Sequence, residues 1–215
     1  MMQIFSVFLV AGLITVCVYG LLQGMMQLDQ NHGMNFTPRV WCVLVMGSTA
    51  AAGVWQMTTA EETAAGRFVW LLIHIYFVSC SLTDGMTCQV YDLFQYLGIA
   101  FAEYLLLRRE VSVRIGISIC LFALLQYCIF MRFYGAADGM TFLVAALTEA
   151  ALGYDLQMYL LHMIIAYLLL SLTQVLQGNI GGGGKLRKPV AFLPYITVSF
   201  WVILILGERI QPYIK

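Results

Sequence analysis

Long apolar stretches separated by short polar breaks dominate this chain. Uncharged runs from Met1 to Leu28, Val40 to Ala60, Phe68 to Thr83, Ile115 to Met131, Leu156 to Gly184 and Pro189 to Gly207 each approach the roughly 20 helical residues that a bilayer core requires. Two further apolar stretches carry acids, Leu93 to Leu107 with Glu103 and Met140 to Tyr154 with Glu149. Membrane β-strands would alternate polar with apolar over about ten residues, and runs such as Phe68-Val-Trp-Leu-Leu-Ile-His-Ile-Tyr-Phe77 do not. The pattern predicts an all-α, polytopic membrane protein with about eight transmembrane helices. The first apolar stretch lacks a basic start and is too long for a signal peptide, so it is read as the first helix.

Composition strengthens this picture. Of 215 residues, 61% are hydrophobic and 10% charged, with a mean hydropathy of +0.86, against about 25% charged residues in an ordinary soluble domain. Net charge is zero and the largest basic run is Lys185-Leu-Arg-Lys188, which argues against a nucleic-acid partner and is better suited to anionic membrane lipids. The six cysteines lie mostly inside spans without a Cys-x-x-Cys pair and read as small buried apolar residues, neither metal ligands nor a disulfide framework. His74 and His162 stand singly in apolar spans, a placement that suits interhelical hydrogen bonding better than metal binding.

Simple alternation of helices puts Asp84, Asp138 and the glycine-rich segment Gly181 to Gly184 at one membrane face. The 11 basic residues divide five to six between the faces, so the positive-inside rule leaves orientation open.

Acids within spans are the next signal, because an Asp at a helix centre in lipid costs about 2.5–3.5 kcal/mol. Five qualify: Asp84, Asp92, Glu103, Asp138 and Glu149. Asp92 and Glu103 share a helix face and are expected to look onto protein or a wet cavity, without a catalytic role. Asp84 and Asp138 each begin an Asp-Gly-Met-Thr sequence, one where the third helix ends and the other where the sixth begins. Capping of a helix start would explain either acid individually. As a pair on one face they could instead share a proton, the ionised member activating water while the protonated member donates to a scissile carbonyl. Glu149, eleven residues beyond Asp138, would sit about 16 Å away along the helix, too far to be its partner.

Three stretches resemble the type IV prepilin and preflagellin peptidases, the short Gly-x-Gly-Asp form without the soluble cysteine-bearing domain. Gly135-Ala-Ala-Asp138 is similar to the motif ending in the second catalytic aspartate, and Asp84 closes an earlier helix as the first does. Gly181-Gly-Gly-Gly-Lys-Leu-Arg-Lys-Pro189, followed by Phe192-Leu-Pro194, is similar to the family's glycine-rich loop and the Phe-x-Pro start of the next helix. The resemblance covers Arg67 to Lys215, giving a catalytic membrane domain at 67–215 preceded by two N-terminal helices at 1–66. It implies an aspartic endopeptidase of the bacterial plasma membrane, removing the leader of pilin-like precursors at the cytosolic face. Asp84 and Asp138 would be catalytic, with Gly135, Gly139, Gly182, Gly183, Lys185, Pro189 and Pro194 in the motif loops, and no cofactor or metal needed. Ala137 stands where the family has glycine, no lysine follows Asp138 and no Ile-Pro-Asn follows Asp84. The alternatives are a proton-coupled small transporter relaying charge through Asp84, Asp138 and Glu149, or a non-catalytic scaffold for pilus assembly.

Overall fold

The computed structural model describes residues 2–28, 35–60, 62–109, 111–133, 135–176 and 190–214. Among them the chain is all-helical, with eight helices: α1 (Met2–Leu28), α2 (Pro38–Thr58), α3 (Ala64–Thr87), α4 (Asp92–Arg108), α5 (Val113–Phe133), α6 (Ala136–Ala151), α7 (Leu156–Leu176) and α8 (Leu193–Ile214). Four, α1, α2, α3 and α7, are long and apolar enough to cross a membrane, whereas the apolar parts of α5 and α8 are shorter. The expected helix count is therefore met among the described residues, and half of the helices combine the length and the apolar character of a membrane span. In α4 and α6 the shortfall follows from only 17 and 16 residues, about 24–26 Å of helix against a core of about 30 Å.

Local chemistry sets the boundaries. Thr37 caps α2 by accepting from the Val40 amide, with Pro38 in the first turn where its missing N–H costs nothing. Thr63 caps α3 through the Gly66 amide, and Asp155 caps α7 through the Met158 amide at 3.1 Å. α6 closes in a Schellman turn: Gly153 adopts φ +76°, its N–H reaches the Ala150 carbonyl, and the Tyr154 N–H reaches the Glu149 carbonyl. Beyond α4, Arg109 pairs with Glu62, tying that end of α4 to the approach to α3.

α3 is the axis of the bundle, packing against α1, α2, α4 and α8, while α6 packs against α4, α5 and α8. Large apolar side chains also cover the outside, among them Phe5, Phe8, Met46, Leu121, Leu125 and Leu168. An apolar exterior of this extent suits lipid rather than water.

Close approach of α4 to α3 depends on Gly98. A Cβ there would lie 2.5 Å from Cε2 of Tyr76. Small residues at helix crossings allow such contact, which in lipid substitutes for the missing hydrophobic drive to associate. The Tyr76 hydroxyl then donates to Gln95 Oε1 at 2.8 Å and lies 3.2 Å from Thr141 Oγ1, so one buried polar cluster joins α3, α4 and α6.

Three expectations change here. The cysteines are not uniformly buried: Cys80 is, whereas Cys42, Cys88 and Cys128 are exposed. Asp92 and Glu103 are exposed on the outer surface of α4, not turned toward protein or a cavity, because Phe94, Gln95, Gly98, Ala102 and Leu105 form its buried stripe. Of the two histidines in spans, His162 makes interhelical hydrogen bonds. His74 is buried with neither ring nitrogen partnered among the described residues.

Candidate active site

α3 and α8 run antiparallel along a seam of alternating contacts. Phe77 stacks on Phe200 at 4.4 Å between ring centroids, Ser81 Oγ lies 2.6 Å from Thr197 Oγ1, and the Leu193 N–H donates to Asp84 Oδ2 at 2.9 Å. The Phe192 amide also binds the Asp84 carboxylate. Asp84 thus caps α8 across the fold, satisfying amide donors of the kind a helix start leaves without intrahelical acceptors. The placement also resolves an electrostatic conflict. A carboxylate in the last turn of α3 faces the negative end of that helix, and the positive end of α8 offsets it.

Asp138 lies at the third position of α6 and is partly exposed. Its carboxylate accepts from the Gly135 amide at the helix cap, the reach-back of an N-terminal capping box. At position 135 an added Cβ would come within 3.3 Å of Asp138 Oδ2, so glycine leaves the room this bond needs. Gly139 is buried directly behind Asp138.

Both carboxylates stand beside the start of α8: Asp84 binds its Leu193 amide, and Asp138 lies one turn before Phe142. Between their helices sits the start of α8: the Phe192 ring packs on Phe142 of α6 at 5.8 Å while its backbone faces Asp84. Pro194 lies 3.9 Å from the position a Cβ on Gly85 would take. The structure therefore brings together Asp84, Asp138, Gly135, Gly139 and Pro194. Gly182, Gly183, Lys185 and Pro189 lie outside the described residues. The Asp-Gly-Met-Thr echo is not a structural repeat, since its first copy ends α3 and its second opens α6.

Beside Asp84 runs an apolar groove of about 520 Å³ between α2, α3 and α8, lined by Arg39, Val43, Ser81, Gly85, Met86 and Pro194 among others. Ser81 is already bonded to Thr197, so the wall is effectively hydrocarbon with one cation at its edge. Nothing in the described residues gathers three potential metal ligands.

Sequence reasoning missed a second polar site. Glu149 Oε1 lies 2.6 Å from His162 Nδ1, and His162 Nε2 lies 3.1 Å from the Ile196 carbonyl. Both side chains are fully buried. Each residue was conspicuous as an ionisable group in an apolar span, but their pairing depends on α6 and α7 meeting at that level, which periodicity does not disclose.

Compared with known proteins, the chain matches no family model, no curated protein and no solved structure.

Proposed function

We propose that this chain is an aspartic endopeptidase of the prepilin-peptidase kind, in which Asp84 and Asp138 cut pilin-like precursors at the cytosolic face of a bacterial plasma membrane. The observation that carries the reading is that two carboxylates from distant helices stand beside the start of α8, Asp84 on its Leu193 amide and Asp138 one turn before Phe142, on which Phe192 packs. A pair sharing one proton supplies both the base for water and the acid for the scissile carbonyl. In this reading the eight helices form a multi-pass membrane domain in which the short α4 and α6 complete the bundle.

Asp84 accepts from two amides, those of Phe192 and Leu193, and Asp138 from one, that of Gly135, so of the two Asp84 has more donors to support a charged form. It is therefore assigned as the base that takes a proton from water. Asp138 is assigned as the acid that donates to the carbonyl oxygen. The adjoining groove would take apolar side chains of the precursor's membrane-embedded segment, leaving its extended leader junction over the aspartates.

Co-expression with a pilin precursor tests this directly. Leader removal by wild type, lost in both Asp84→Asn and Asp138→Asn, is the expected result. Cleavage persisting in either variant overturns the dyad.

A further inference from the structure

The Glu149–His162 pair lies outside the candidate dyad and has a defined proton inventory. His162 Nε2 faces a backbone carbonyl, Ile196 O, at 3.1 Å. A carbonyl only accepts, so Nε2 carries a hydrogen. Nδ1 faces Glu149 Oε1 at 2.6 Å. A bare nitrogen lone pair against a bare carboxylate at that separation would be repulsive, so one further proton lies between them. Either Glu149 holds it and donates to Nδ1, or the imidazolium holds it and donates to the carboxylate. The site is sealed: both side chains have no exposed surface, and the rings of Phe142, Tyr159 and Phe200 lie 5.5, 6.2 and 6.0 Å from the imidazole.

Its location gives this proton a consequence. Ile196 belongs to the first turn of α8, the turn whose Leu193 amide binds Asp84. Glu149 is itself held by the Schellman turn that ends α6, through its own carbonyl. A rigid chain of contacts thus runs from the end of α6 through His162 of α7 to the start of α8.

We propose that Glu149 and His162 hold a single proton between them and act as a positioning clamp, fixing the first turn of α8 so that its Leu193 amide meets Asp84. The proton and the clamp stand independently of any catalysis, whereas an effect on cleavage rests on the peptidase reading above. Substitution separates the parts. Glu149→Gln keeps a donor for Nδ1 and removes the shared proton, whereas Glu149→Leu removes the bond itself.

The test uses the full chain in lipid nanodiscs with ¹⁵N-labelled histidine, the His162 signals being assigned with His32→Gln and His74→Gln variants. Wild type should show Nε2 protonated and Nδ1 shifted by a shared proton, and Glu149→Gln should return Nδ1 to a simple acceptor. Hydrogen exchange should then show the Leu193 amide at least tenfold faster in Glu149→Leu and within threefold of wild type in Glu149→Gln. An unprotonated Nε2 in wild type, a His162 spectrum indifferent to Glu149→Gln, or a Leu193 amide equally protected in Glu149→Leu would overturn the proposal. Exchange that rises evenly along the whole chain in Glu149→Leu would do the same. If the resonances and exchange behave as stated but no variant, wild type included, cleaves a precursor, the peptidase reading fails and the clamp stands.

Discussion

Replacing Gly98 with alanine tests the packing that sets α4, and with it α6, against α3. The added methyl would lie 2.5, 2.7 and 2.8 Å from three atoms of the Tyr76 ring, about 1 Å inside ordinary carbon contact. The ring cannot swing aside freely, because its hydroxyl is committed to Gln95 and lies beside Thr141. Either the helices part or the hydrogen bonds break. Overpacking of this kind costs about 1–3 kcal/mol, and loss of a buried hydrogen bond adds about 1 kcal/mol. Alanine's better helix propensity returns up to about 1 kcal/mol. The expected net is about 1–3 kcal/mol of destabilisation, read as a lowered midpoint in denaturant titration of the detergent-solubilised chain. Tyr76→Leu in the same chain should recover part of the Gly98→Ala loss, giving a coupling energy of about 1 kcal/mol or more in a double-mutant cycle. A Gly98→Ala chain as stable as wild type, or more stable, would refute the close-approach account.

Four other outcomes follow from the same contacts. Asp84→Ala should destabilise the chain by about 1–2 kcal/mol through loss of the α8 cap, whereas Asp84→Asn keeps an acceptor oxygen and should unfold close to wild type, a difference measurable in the same titration. His162→Leu strands a buried carboxyl and should cost about 3–5 kcal/mol, and Glu149→Leu combined with it should recover much of that loss. Gly153→Ala places a side chain at φ +76° and should cost about 1–2 kcal/mol, visible as a lower thermal midpoint. Cys80 is fully buried while Cys88 is exposed beyond the end of α3, so a water-soluble maleimide should label Cys88 in the folded chain and reach Cys80 only after denaturation.

Helix positions were legible because long uncharged apolar runs alternate with short polar breaks. The run predicted from Phe68 to Thr83 appears as Ala64–Thr87, extended at its start by the Thr63 cap and at its end through Asp84. Alternation of helices also gave the expectation that Asp84 and Asp138 lie at one membrane face. What alternation does not fix is which helices touch. Asp84 meets a residue 109 positions away, Tyr76 meets Thr141 across 65, and Glu149 meets His162 across a turn and a helix face. Those partnerships arise from lateral packing, in which Gly98 admits Tyr76 and the apolar stripe of α6 faces both α5 and α4. The spanning capacity of α4 and α6 was overestimated for a related reason: apolar character alone does not show that a helix is long enough to cross.

The bond between Asp84 and Leu193 has a temporal side. A chain made from its N-terminus forms α3 well before α8 exists, and contacts this distant in sequence close late and slowly. Until residue 193 has emerged and docked, the Asp84 carboxylate lacks the amides that stabilise its charge and sits against the unfavourable end of its own helix. The setting of Asp84 is thus tied to arrival of α8, so a partly assembled chain would carry this carboxylate without the amide that holds it.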